Sequence, residues 1–145
     1  MLGLTVIRDW IEEMQLADHH YIGKLDAKQD RSIGVYQRNV YSEPRVAIGG
    51  RELASYDVKY ISVLVHWNED AWETEKAAFR LFEQLKAARD VIRTEEVTEE
   101  DQTTTATHRI LFIDMQVPEP VDVGTDENGI YERVIWADVY YEREE

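Results

Sequence analysis

Apolar and polar positions are most sharply ordered between Tyr56 and Ala88. The run Val58-Lys59-Tyr60-Ile61-Ser62-Val63-Leu64-Val65-His66-Trp67 is rich in β-branched and aromatic residues. Such residues suit a pleated, half-buried surface. Alternation puts Ile61, Val63, Val65 and Trp67 on one face and Tyr60, Ser62, Leu64 and His66 on the other. One wholly apolar face and one mixed face predict a central strand covered by helices on one side. A helical period follows. Ala71, Ala78, Leu81, Phe82, Leu85 and Ala88 form its apolar stripe, and Glu73, Lys76, Arg80, Glu83 and Lys86 fit the solvent side. Asp70 is placed to cap the first turn, with Glu73 reaching back to the cap's own N–H.

On the N-terminal side, Leu4, Ile7, Ile11 and Met14 recur at helical spacing beside Trp10, which predicts an amphipathic helix over 4–15. Residues 20–25 and 32–38 read as two strands around the polar turn 26–31, together a hairpin. Pro44, Gly49 and Gly50 mark 41–55 as a loop, with Arg45–Ile48 as a short strand within it. After the second helix the pattern weakens. Glu95-Glu96-Val97-Thr98-Glu99-Glu100-Asp101 and Thr103-Thr104-Thr105-Ala106-Thr107 offer little apolar material, so about 90–108 reads as an exposed acidic flap or extended hairpin arm. The last third is β. Leu111, Ile113, Met115 and Val117 alternate with Ile110, Phe112, Asp114 and Gln116 until Pro118 and Pro120 break the pattern. Asn128-Gly129 supplies a turn into a final strand over 130–141, with Val134, Trp136 and Tyr140 on one face. The expected fold is a single α+β domain over 1–145, in the order α-β-β-β-α-β-β. It has a mainly antiparallel sheet of four to five strands and two helices on one face.

Charge changes this picture in one respect. The net charge is −14, of which residues 1–60 contribute −1 and residues 61–145 contribute −13. Such a surface repels phosphate, so sequence-specific nucleic-acid binding is disfavoured. An acidic protein can still surround DNA without gripping it, mimic DNA, or dock on a basic partner. The plainest reading of most of these carboxylates is solubility. Cysteine is absent, which removes disulfides and thiolate metal sites. The N-terminus lacks the pattern of a signal peptide, and no stretch approaches the length of a membrane span.

Candidate chemistry is sparse. His19 and His20 are adjacent on a strand, so their imidazoles point to opposite faces and do not readily share an ion. His66 and His108 lack neighbouring ligand spacing. Asp122 to Gly129 superficially resembles a calcium loop, yet Gly124 stands where a ligand belongs and Arg133 where a bidentate Glu belongs. A hairpin turn explains it better. Glu12-Glu13, Glu95-Glu96 and Glu99-Glu100 lack the defined separation and unequal environments of hydrolytic pairs. No Ser-His-Asp order stands out, and Gly49-Gly50 is too short for a phosphate cradle. No catalytic, cofactor or metal residue is assigned. A pocket combining His66 with Asp114 or Tyr140 is the arrangement a small enzyme or ligand-binding domain would need. Trp10, Trp67, Trp72 and Trp136 read as core or core-edge residues. Several of the eight tyrosines, among them Tyr21, Tyr36, Tyr41, Tyr131, Tyr140 and Tyr141, suit sheet surfaces that favour protein contacts.

The succession of an N-terminal helix, the strand Ser32-Ile33-Gly34-Val35-Tyr36, a loop, Tyr60 to Trp67, and Glu73-x-Glu75-x-Ala77-x-x-x-Leu81-x-x-x-Leu85 resembles the minor capsid and tail-terminator proteins of long-tailed bacteriophages and their prophages. The likeness covers most of the chain in element order, and the acidic segment matches it least. It implies a structural protein of the virion tail, made in the bacterial cytoplasm during assembly. The implied form is a homo-oligomeric ring, commonly a hexamer. Such a ring caps the tail tube, contacts tail-tube and head-completion proteins, and lets DNA pass through. The resemblance implies no catalytic residue, cofactor or membrane contact. An acidic inhibitor that mimics DNA and a small ligand-binding or enzymatic α+β domain are the competing expectations.

Overall fold

The apolar face of Val58–Trp67 is the floor on which the protein is built. The computed structural model describes residues 1–39 and 55–144. Among the described residues there are two helices and seven strands, an α+β fold: α1 (Leu4–Glu13), β1 (His19–Ile22), β2 (Ser32–Gln37), β3 (Asp57–His66), α2 (Ala71–Ala87), β4 (Arg89–Glu99), β5 (Gln102–Met115), β6 (Val121–Thr125) and β7 (Tyr131–Glu144). The strands form one sheet in the order β1-β2-β3-β7-β5-β4, with β6 also paired to β7. The expected loop over 41–55 and its short strand at Arg45–Ile48 lie, but for Ser55, outside the described residues.

Strand β7 is the centre of the sheet. It pairs along its length with β3, from Asp57↔Tyr141 to His66↔Glu132. Its other edge is shared, with β5 on the C-terminal half and β6 on the N-terminal half. Ile61, Val63 and Val65 of β3 and Ile135, Ala137 and Val139 of β7 are buried on one face, together with Val6, Ile7 and Ile11 of α1 and Leu81, Phe82 and Leu85 of α2. Both helices therefore cover the same face, as the alternation in β3 demands.

The sheet curls. Helix α1 packs against β1 and β2 at one end of the strand order and also against β4 at the other. Arg93 of β4 donates to both carboxylate oxygens of Glu13, at 2.6 and 2.9 Å. That fork holds the Glu13 carboxyl below its usual range, chiefly through the Arg93 hydrogen bond. The helix thus spans the gap between the two outer edges of a half-closed sheet.

The sheet has more strands than the four to five expected, for two reasons. In β4 the half-buried positions are Val91, Arg93, Glu95 and Val97, so charged residues occupy half of its inner alternation and mask it. In β6, five residues carry a glycine and exposed valines, which reads as loop. The expected hairpin of 20–25 with 32–38 is also corrected, because β1 and β2 run parallel, His19↔Ser32 to Ile22↔Val35. Residues 23–31 fold back across the sheet end instead of turning tightly. Gly23 enters this crossover at φ +70°, and Arg31 donates its N–H to the Trp67 carbonyl at 2.7 Å.

Helix α2 starts as its sequence predicts, with one change. Asp70 Oδ1 accepts from the N–H groups of Trp72 and Glu73, both at 3.0 Å. Glu73 does not return to the cap. It accepts from the Asn68 side chain at 2.8 Å, while Asn68 Oδ1 takes the Asp70 N–H at 2.9 Å. Asn68 thus substitutes for half of the capping box. Ala71 is exposed, and the buried stripe begins at Thr74.

Candidate functional site

Three surfaces and one buried cluster hold the remaining chemistry. The first surface is the sheet face opposite the helices. A bulge between Ile110 and Phe112 shifts the phase of β5, so Ile110 and Ile113 both reach the core while Phe112 and Asp114 point out. On that outer face Phe112 stacks on Tyr140, with centroids 4.5 Å apart and an interplanar angle of 13°, and Tyr140 meets Tyr56 at 5.5 Å. Trp136, four residues along β7 from Tyr140, is 48 % exposed. Arg38 lies over the Tyr60 ring at 5.7 Å and pairs with Asp138. Burial still pushes the Asp138 carboxyl above its ordinary value, outweighing the guanidinium, and Asp114 pushes the same way. Burial also raises the Tyr140 phenol.

The second surface is a groove of about 250 Å³ between α2 and the segment leading into β6, with Trp72, Glu75, Lys76, Phe79, Glu119, Pro120 and Arg133 around it. Trp72 is 61 % exposed and carries Lys76 over its ring at 5.4 Å. Of the four tryptophans expected at the core or its edge, Trp10 and Trp67 are buried, whereas Trp72 and Trp136 are exposed.

The third surface is the end of the β4–β5 hairpin. Strand β7 stops pairing with β5 at Thr107↔Glu144, but β4 and β5 continue together from Glu95↔Ala106 to Glu99↔Gln102. Five residue pairs at strand rise make a ribbon of about 17 Å. Its five carboxylates, Glu95, Glu96, Glu99, Glu100 and Asp101, lie on both faces and at the tip. Thr94 and Thr107, and Thr98 and Thr103, are joined across the strands by hydroxyl hydrogen bonds of 3.1 Å.

The buried cluster centres on His66, whose ring is fully enclosed. Its Nδ1 faces Glu132 Oε2 at 2.9 Å, and its Nε2 faces the Ala27 carbonyl at 3.2 Å with Asp126 Oδ2 at 3.8 Å. Both nitrogens face oxygen atoms of other segments. The ring clamps the crossover and the β6–β7 turn onto the end of the sheet. A pocket combining His66 with Asp114 or Tyr140 does not form. His66 pairs with Glu132, and six residues along β3 separate it from Tyr60, which faces Asp138, so about 20 Å of strand intervenes.

The other histidines are also occupied structurally. His19 stacks on Tyr21 at 6.4 Å. His20 is held below its ordinary value, first by burial. His108 packs edge-on against Tyr141 at 5.7 Å, and its Nδ1 is buried without a partner. The calcium-like segment uses its carboxylates on its own backbone. Asp122 Oδ1 accepts the Gly124 N–H at 2.8 Å, and Asp126 Oδ1 accepts those of Asn128 and Ile130 at 2.9 Å. Among the described residues no group of three or more His, Asp or Glu is placed to hold a metal, and no helix is long and apolar enough to cross a membrane.

Burial, followed by the N-terminal ammonium, pushes the His108 imidazole below its ordinary value of 6.5. The unfolded ring therefore takes up a proton at a pH where the folded ring does not. Its contribution to stability is complete above about pH 6.5 and is lost as pH falls below that. We expect the urea midpoint to drop between about pH 7.5 and about pH 5, and His108→Phe to flatten part of that slope. An unchanged slope in the variant would remove His108 as a source.

The chain matches no family model, no curated protein and no solved structure.

Proposed function

We propose that this chain is a structural protein of phage or prophage assembly, of the tail-terminator kind, acting at the head–tail junction rather than as an enzyme. The supporting observation is the β4–β5 ribbon, which leaves the sheet with both of its backbone edges unpaired among the described residues. A two-stranded ribbon is marginal by itself, and its open edges invite pairing with another chain. A ring of identical subunits would cover such edges and close on itself. The acidic surface is compatible with DNA passing through a lumen without being gripped. Its partners would be further copies, tail-tube subunits and head-completion proteins. It would act in the virion tail after assembly in the bacterial cytoplasm, with no cofactor.

The DNA-mimic alternative fits less well, because the arm's carboxylates are divided between two faces instead of being arrayed on one. The enzyme alternative is weakened by His66, the most enclosed imidazole, being committed to Glu132 and Ala27.

Light scattering on a size-exclusion column at high protein concentration, with electron microscopy alone and with tail tubes, tests the reading. Rings, or density confined to tube ends, are the expected result. A strict monomer that neither forms rings nor binds tube ends would overturn it.

A further inference from the structure

The sheet face opposite the helices carries a charge that the described residues do not balance. Asp114 of β5 and Asp138 of β7 are direct cross-strand partners. Like charges placed opposite one another destabilise a sheet. Arg38 serves only one of them, being paired with Asp138 and donating also to the Ile61 carbonyl at 3.4 Å. Asp114 is exposed and makes no ion pair among the described residues. Beside it lie the Phe112–Tyr140 stack and the half-exposed indole of Trp136.

Aromatic faces next to a carboxylate that lacks a counter-charge are complementary to a planar cation. A guanidinium stacks on such rings and pairs with a carboxylate through parallel N–H groups, which an ammonium does less well. We propose that this face docks a partner protein through an arginine side chain that lies against the Phe112–Tyr140 stack and pairs with Asp114. Self-pairing of this face with the same face of a second copy would set Asp114 and Asp138 against the same two carboxylates. Nucleic acid would bring phosphate towards two carboxylates. The inference does not rest on the tail-terminator reading, because it concerns the sheet face and not the arm.

The test is a two-dimensional ¹H–¹⁵N titration of the full chain with the blocked tripeptide Gly-Arg-Gly and with its neutral citrulline counterpart. Saturable shifts are expected at the Trp136 indole and at the Phe112 and Asp114 amides with arginine, and none with citrulline. Asp114→Asn should weaken binding about tenfold, the loss of one charge-assisted pair. The Asp114 side chain is exposed, so this variant retains the fold; its spectrum away from β5 and β7 provides the check. Three outcomes would overturn the proposal: equal response to citrulline, shifts centred on Glu95–Asp101 instead, or undiminished binding by the variant. Concentration-dependent broadening of the same resonances without peptide would assign the face to a second copy and would also overturn it.

Discussion

Replacing His66 with alanine is expected to lower the unfolding free energy by about 3 kcal/mol. The ring is fully enclosed, and its two nitrogens serve a carboxylate and a backbone carbonyl from different parts of the chain. Removing it takes from the Ala27 carbonyl and Glu132 the ring they face and opens a void at the sheet end. The Glu132 side chain retains 20 % exposure, so water recovers part of its loss. The effect should also be local before it is global. The crossover over 23–31 and the turn around Asp126 lose their common anchor, so amide hydrogen exchange should rise there first. A urea midpoint shift with unchanged slope would report the stability loss. A cost below about 1 kcal/mol, with exchange unaltered in both segments, would mean that the crossover is held by its backbone bonds alone.

The elements easiest to read in the sequence are those where burial and period agree. In β3 the apolar alternation is unbroken, and in α2 Asp70 caps a stripe that continues to Leu85, so both stand close to their expected bounds. Strand β1 is different. Periodicity identifies a strand but not its direction, and the parallel pairing with β2 depends on a crossover anchored by His66 and the Trp67 carbonyl, both far away in sequence. The β5 bulge hides in the same way. Ile110, Leu111, Phe112 and Ile113 are all apolar, so composition gives no sign of where the phase shifts. Size and hydrophobicity argue for the core at Trp72 and Trp136, whereas their positions face a groove and the sheet face opposite the helices. The outer sheet face is therefore the surface least legible in one dimension. The hairpin arm is local in sequence, whereas the Asp114–Asp138 juxtaposition exists only through the register of β5 on β7.

Shortening the β4–β5 ribbon is expected to abolish assembly while leaving the subunit folded. The change replaces Glu96–Thr105 with Asn-Gly, which joins the paired positions Glu95 and Ala106 by a two-residue turn. The core is untouched, since every buried apolar residue of this hairpin lies from Ile110 onwards. The Arg93–Glu13 fork and the Thr94–Thr107 hydrogen bond, which fasten its base to α1 and across the strands, are retained. Subunit stability should therefore change by no more than about 0.5 kcal/mol, as for other surface changes away from buried features. Assembly should respond quite differently if the ribbon supplies an intersubunit edge. Losing several main-chain pairings per interface would raise the dissociation constant by far more than tenfold, because each 1.4 kcal/mol is a decade. Ring formation and tube-end binding would then be absent at concentrations where the intact chain assembles. Separate neutralisation of Glu96, Glu99 and Glu100 distinguishes the backbone from its charges. If neutralisation alone abolishes assembly, the ribbon acts through charge, against a basic partner. If only shortening does, it acts as a strand. Full assembly by the shortened chain would exclude the ribbon from the interface and remove the main support for a terminator-like role.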